Sequence, residues 1–249
     1  MQTVIIGSGN VAYHLAKAFI SNAIPLVQIF GRNEQELKTI SEELEISFST
    51  KNLSDADLYI ICVSDHSVEN VSRLITKKNC LVAHTSGSLP IDILKGEYRK
   101  SSVYPLQTFS KAKKMEYRNI PFFIEAENDE DSKVLFDIAS SISENVMEST
   151  YEKRKYIHLT AVFACNFVNH LFSRAKEISD FQDIPFNYFF PLIDETIQKI
   201  HEFEPKSAQT GPAVRNDKRI LEMHEQLLKN ESLEIYKTMN HSIQKMYEL

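Results

Sequence analysis

The sequence predicts an α/β chain, a mostly parallel sheet with crossover helices followed by an all-helical C-terminal domain. Three observations lead there. Short β-branched apolar runs alternate with amphipathic stretches over residues 1–150, the pattern of βαβ units. Residues 151–249 carry helical periodicity alone. A chain with only 6 glycines spends two of them, Gly7 and Gly9, at the end of its first apolar run, where the backbone must turn sharply or approach something closely.

Thr3–Ile6 reads as a strand buried on both faces. A helix follows over Asn10–Ser21, where Val11, Leu15, Ala18 and Phe19 recur at spacings of three and four before Pro25 stops the pattern. A strand at Leu26–Phe30, a helix at Glu34–Leu44, a strand at Asp57–Val63, a helix at Ser67–Ile75 and a strand at Cys80–His84 continue the alternation. A less regular stretch runs through Tyr104-Pro105-Leu106. Then come a strand at Pro121–Ala126, a helix at Asp129–Ile142 and a short strand at Asn145–Glu148. Beyond about residue 150 the helices are Tyr151–Ser179, Pro191–Glu202, Asp217–Lys229 and Leu233–Tyr247, with a Pro/Gly loop over Glu204–Ala213. The expected domains are therefore 1–150 and 151–249.

Composition narrows the function. The 249 residues include 28 Lys+Arg against 34 Asp+Glu, a net charge of −6, so no basic footprint marks nucleic acid as a main partner. No apolar run approaches the roughly 18 residues of a membrane span. The first residues are already a strand rather than a signal peptide, and a cytoplasmic location is expected. Cys62, Cys80 and Cys165 lie far apart in apolar context, as reduced core thiols do. The eight histidines are dispersed without HxxxH or CxxC, so no metal site is expected.

Gly7-Ser8-Gly9-Asn10-Val11-Ala12 matches GxGxxG/A directly after a strand and opening a helix, the Rossmann-type position for a dinucleotide. Gly7 permits the tight turn, Gly9 lets a pyrophosphate come against the backbone, and Ala12 lets the helix pack on the sheet. Free N–H groups at the helix start, from Ser8 to Val11, would meet the anion. A carboxylate after the second strand would hold the ribose diol of NAD; Gly31-Arg32-Asn33 stands there instead. Arg32 offers a planar fork to a 2′-phosphate and Asn33 a neutral donor, which favours NADP. Val63 and Ser64 close the strand before the next helix and would line the same crevice, Ser64 doubling as a helix cap.

His84-Thr85-Ser86-Gly87-Ser88 should sit at the same carboxyl edge. His84 could donate a proton, while Thr85 and Ser86 could bond a carboxamide or substrate. Tyr104-Pro105-Leu106-Gln107-Thr108-Phe109 reads as a rigid loop after another short strand, with Gln107 and Thr108 as polar tips. In the long helix, three-and-four spacing lets His158 and Asn166 look into one cleft. Arg215, in Thr210–Asp217, could clamp a carboxylate or phosphate, and Asp217 could cap the next helix.

Taken together, GSGNVA, FGRN, HTSGSL, YPLQTF, YIHLTAVFACNFVNHLF and TGPAVRND resemble the family that joins a Rossmann-like domain to a helical C-terminal domain of unknown function. This family is related to pyrroline-5-carboxylate reductase and the deazaflavin-dependent NADP oxidoreductases. The resemblance spans nearly the whole chain. It implies an NADP-binding fold, an oxidoreductase label and a homodimer formed through the C-terminal helices. By motif matching it places Gly7, Gly9, Asn10, Val11, Arg32 and Ser64 at the cofactor, and His84, Ser86, His158, Asn166 and Arg215 at the substrate cleft. Tyr104 stands where members more often have His, although a tyrosine hydroxyl can still donate. The expected activity is NADP(H)-dependent hydride transfer to or from a small carbonyl or imine substrate, with His158 or His84 as acid, Asn166 orienting and Arg215 capturing an anion. The alternative is a non-catalytic NADP sensor or scaffold, because Lys155 is followed four residues on by Leu159 and forms no Lys-x-x-x-Asn pair.

Overall fold

A computed structural model describes residues 1–249. The chain divides into two compact units, Met1–Asn166 and Phe167–Leu249.

The first unit holds one eight-stranded sheet: β1 (Thr3–Ile6), β2 (Leu26–Phe30), β3 (Phe48–Ser49), β4 (Leu58–Ile61), β5 (Leu81–His84), β6 (Arg99–Pro105), β7 (Phe122–Ala126) and β8 (Val146–Glu148). Its order is β3-β2-β1-β4-β5-β6-β7-β8. Every pair is parallel except β6–β7. The helices are α1 (Asn10–Ser21), α2 (Glu34–Leu44), α3 (Asp65–Ser72), α4 (Asp129–Ser140) and α5 (Tyr151–Ala161). Strand order reverses between β1 and β4, the switch point at which doubly wound sheets bind ligands outside their carboxyl ends. Ile6 pairs with Phe30 and Ile61, Ile61 with His84, and His84 with Ser102. That register brings Gly7, Gly31, Cys62 and Thr85 to one edge, and β6 runs past it through Tyr104 to Pro105.

One apolar cluster on each face of the sheet holds this edge in place. Ala12, Leu15 and Phe19 of α1 pack with Leu37 and Ile40 of α2 and Leu135 of α4 on one side. Val68 of α3, Leu94 and Tyr98 lie on the other. Side chains such as Ile5, Phe19 and Ile60 are at most 2% exposed, each stabilising the fold by about 1.5–3 kcal/mol.

One strand, β3, lies outside the pattern expected from sequence, and another, β6 (Arg99–Pro105), takes in Tyr104 and Pro105, expected in the loop after a short strand. β3 is two residues long, too short for any periodicity. β6 starts with Arg99-Lys100-Ser101-Ser102, yet both serines are completely buried. The Ser101 hydroxyl donates to the Val82 carbonyl at 2.9 Å, which lets a polar segment occupy an interior strand.

Helix continues from α5 through a π-helical segment, Val162–Phe167, into α6 (Val168–Phe181) of the second unit. This is the long helix expected at Tyr151–Ser179, with a π segment that no periodicity announces. The rest of the second unit is α7 (Phe190–Glu202), α8 (Pro205–Ala208), α9 (Lys218–Leu227) and α10 (Asn230–Met246). α8 falls inside the stretch expected as a Pro/Gly loop, with Pro205 in the first turn, where its missing N–H costs nothing. Asp217 caps α9 as expected, its carboxylate accepting from the Ile220 N–H at 3.3 Å. His224 of α9 bonds Tyr236 of α10 at 2.9 Å. No helix is long and apolar enough to cross a membrane.

Candidate active site

Gly7 has φ +141°, and a Cβ there would stand 2.2 Å from the Cys62 carbonyl oxygen, so β1 can turn against β4 only through glycine. Gly9 is the N-cap of α1, with no side-chain cap and no acidic residue in the first turn. A Cβ on it would meet nothing within 4 Å. The start of α1 therefore presents unpartnered amides to open space, the requirement for seating a phosphate.

These residues form one wall of a cleft of about 560 Å³, which is also lined by Ser8, Arg32, Asn33, Val63 and Ser64. Arg32 is exposed and has no ion-pair partner. Asn33 caps α2, its carboxamide oxygen accepting from the Glu36 N–H at 3.2 Å, and its amino group remains available. Ser64 precedes α3 without capping it. Its hydroxyl lies 3.3 Å from His66 Nε2 and 3.2 Å from the Ser67 hydroxyl, at the cleft surface. Asn10 opens α1, and its side-chain oxygen accepts from the Lys111 N–H at 3.4 Å.

A second cleft, of about 720 Å³, begins at Val11 and Thr85, close in sequence to the glycine turn and to the end of β5. Tyr104, Gln107, Thr108, Lys153, His158 and Asn166 line it. The Tyr104 hydroxyl lies 2.9 Å from His158 Nδ1, and the tyrosine ring stacks on Phe123 at 6.3 Å. Burial pushes the Tyr104 hydroxyl above its ordinary pKa, with Asp65 adding to the shift, so the group keeps its proton. Asn166 is in the π segment, whose wider turn changes the face on which Cys165 and Asn166 project relative to a regular α-helix. Gly87 packs against the pair: a Cβ there would stand 2.7 Å from His158 Cβ and 2.8 Å from Tyr104 Cζ.

Two of the residues expected from sequence, His84 and Ser86, lie outside both clefts. His84 is completely buried and lines neither cleft. Its Nδ1 accepts from the Ser86 N–H at 3.2 Å, and its Nε2 has no partner. Burial, reinforced by the Arg154 guanidinium, lowers its pKa to about 3, so it stays neutral, and sealed away from both clefts it meets no substrate to protonate. Ser86 is buried too, its hydroxyl accepting from the N–H groups of Ser88 at 3.0 Å and Leu89 at 3.2 Å. That hydroxyl holds the turn rather than facing a ligand. Arg215 is exposed in the second unit.

The sign of the His84 effect on stability follows from linkage. Between pH about 3 and 6.5 the unfolded chain binds a proton at this residue that the folded chain does not, so stability falls as pH falls through that window. The slope is about 1.4 kcal/mol per pH unit. His84→Asn keeps an acceptor for Ser86 and removes the titration. Urea unfolding at pH 7 and pH 5 should show the variant losing about 2 kcal/mol less than the wild type over that interval. Equal losses would contradict the buried neutral imidazole.

The strand order and the glycine turn define a Rossmann-type nucleotide-binding fold. The family described as NADP oxidoreductase, coenzyme F420-dependent, matches residues 2–94, and the domain of unknown function DUF2520 matches residues 120–243. Protein BF3122 of Bacteroides fragilis, provisionally described as an NADP oxidoreductase, is 37% identical, with a TM-score of 0.91 over 100% of this chain and 98% of its own. Protein TM1727 of Thermotoga maritima is 22% identical at a TM-score of 0.82, covering 99% and 100%. A pyrroline-5-carboxylate reductase of Coxiella burnetii, 14% identical at a TM-score of 0.57 over 97% and 98%, shares the fold. No curated protein matches the sequence. The chain belongs to the oxidoreductase family that joins the NADP oxidoreductase domain to DUF2520.

Proposed function

We propose that the protein is an NADP(H)-dependent oxidoreductase acting on a small carbonyl or imine compound, with Tyr104 and His158 as its proton-transfer pair. One observation carries this reading: the hydrogen-bonded Tyr104–His158 pair faces a cleft that begins at Val11, immediately beyond the amides suited to a pyrophosphate. The unpartnered amides, the open space at Gly9 and the unpaired Arg32 fit NADP(H). Gly7 to Val11 would hold its pyrophosphate, and Arg32 with Asn33 its 2′-phosphate. When bound, the cofactor supplies or accepts the hydride.

The chain's own residues then position the acceptor and handle the proton. In the tautomer this reading uses, the Tyr104 hydroxyl, 2.9 Å from His158 Nδ1, donates to it and the imidazole hydrogen is on Nε2. A carbonyl oxygen or imine nitrogen bonded there receives that proton as negative charge develops, the Tyr104 hydroxyl hydrogen passes to Nδ1, and the phenolate so formed takes a proton back from solvent in the open cleft before the next turnover. Asn166 orients the substrate. Lys153 is the one cation lining this cleft, which is lined by no carboxylate.

The test is NADPH oxidation across a panel of small oxo and imino acids. His158→Ala and Tyr104→Phe should each lower turnover by about a hundredfold, with NADPH affinity within about threefold of the wild type. Unchanged turnover in both variants would remove the proton assignment. Tight NADPH binding without turnover on any substrate would favour a sensor or scaffold.

We also propose a homodimer. The second unit exposes Phe181 at 83%, Leu227 at 72%, Tyr188 at 71% and Leu192 at 65%, apolar surface that a second copy would cover. A monomeric sedimentation coefficient at micromolar concentration would count against it.

A further inference from the structure

Arg154 is the largest completely buried side chain of the protein. A guanidinium in such a place is costly unless its charge and its donors are met, so its partners define what it does. It forms an ion pair with Glu125 on β7 and donates to the Leu89 carbonyl at 2.5 Å, while its Nε has no partner. Two donations from one side chain thus tie α5 both to the sheet and to the turn that follows β5.

That turn carries Gly87, and α5 carries His158 one turn beyond Arg154 on the same face. Gly87 is wedged against His158 Cβ and Tyr104 Cζ, with no room for a methyl group. Tyr104 is on β6, where it pairs directly across with Phe123 of β7, two residues before Glu125. The position of α5 relative to the turn and to β7 therefore sets the separation between His158 and Tyr104. Sliding the helix by a fraction of its rise would either drive His158 into Gly87 or open the 2.9 Å hydrogen bond.

We infer that Arg154 is a positioning residue of the active site: through Glu125 and the Leu89 carbonyl it fixes α5 so that the Tyr104–His158 hydrogen bond forms. It touches neither substrate nor cofactor, since it lines neither cleft. The inference rests on the proton-transfer reading above, but its geometry can be tested without turnover.

Three variants of the full chain separate positioning from mere structure. R154M leaves Glu125 unpaired near the core and should melt on the order of 10 °C lower than the wild type. R154M/E125Q removes both charges and should recover most of that loss. R154K keeps the charge but cannot reach Glu125 and Leu89 together. The readout is the imidazole nitrogen spectrum of protein labelled with 15N-histidine. Wild type should give a His158 signal of one tautomer with a bonded Nδ1, assigned by its loss in Tyr104→Phe. Folded R154M/E125Q should show the averaged signal of Tyr104→Phe, and R154K an intermediate one. With an accepted substrate, kcat of R154M/E125Q should fall about a hundredfold while KM and the Kd for NADPH stay within about threefold.

A His158 signal and kcat unchanged in folded R154M/E125Q would overturn the inference and leave Arg154 a packing residue. If that variant does not fold, R154K decides, and a wild-type spectrum from it overturns the inference equally. Failure of the wild type to bind NADPH would instead sink the proposed function, which the nitrogen spectra do not depend on.

Discussion

Gly87→Ala is expected to lower turnover about a hundredfold while leaving NADPH affinity within about threefold. The added methyl group would stand 2.7 Å from His158 Cβ and 2.8 Å from Tyr104 Cζ, closer than carbon atoms approach in folded proteins. Neither neighbour can yield freely. His158 Cβ is fixed to the helix backbone of α5, and the Tyr104 ring is backed by Phe123. The two groups must part, and misplacement of a proton donor by about an ångström is enough for the loss stated. The cofactor cleft does not include Gly87, so affinity reports that the rest of the sheet edge is intact. Steady-state NADPH oxidation with parallel fluorescence titration measures both quantities. Wild-type turnover in Gly87→Ala would show that the Tyr104–His158 contact has no part in the reaction.

Gly7→Ala acts on the fold and on the cofactor together. Alanine at φ +141° is strained, and its Cβ would stand 2.2 Å from the carbonyl oxygen of Cys62, a residue tied to β1 by its N–H bond to the Ile6 carbonyl. Overpacking and backbone strain together cost about 3 kcal/mol, or a fall in melting temperature of roughly 10 °C. Relief of the clash requires β1 to part from Cys62 at the point where α1 begins, so NADPH binding should fall with stability. Gly9→Ala provides the contrast. Its Cβ would meet nothing within 4 Å, so stability should hold while a methyl group projects into the space intended for pyrophosphate. Thermal unfolding with and without NADPH distinguishes the two. Equal melting temperatures for wild type and Gly7→Ala would contradict the close packing of β1 on Cys62.

Much of this fold is legible in the sequence because the strands of a parallel sheet are short, apolar and punctuated. β1, β2, β4 and β5 carry β-branched runs, and their ends coincide with glycine or polar turns. The bounds of β6 escape because that strand starts in a polar segment, where Ser101 is buried through a hydroxyl bond and Ser102 through close packing alone. The cofactor cleft is equally legible, since a glycine turn is a backbone requirement written directly into residue type. The catalytic side is harder to read. His84 and His158 are alike in sequence, each polar amid apolar residues. Only the completed fold shows that one is fully buried while the other meets Tyr104. Gly87 carries a usable signal, a glycine in a glycine-poor chain, but its reason lies with Tyr104 and His158, both remote in sequence. Nothing local marks Arg154, one of several charges in Glu152-Lys153-Arg154-Lys155, as the one turned inward.

Whether the glycine turn and Arg32 together hold NADP(H) is decided by titration calorimetry of the purified protein with NADPH and with NADH, repeated on Arg32→Ala. In the wild type NADPH should bind at least about tenfold tighter than NADH. Arg32→Ala should lose about ten- to hundredfold in NADPH affinity, with NADH affinity unchanged. No heat with either nucleotide on folded protein, or an NADPH affinity indifferent to Arg32, would contradict the cofactor site and with it the proposed reaction.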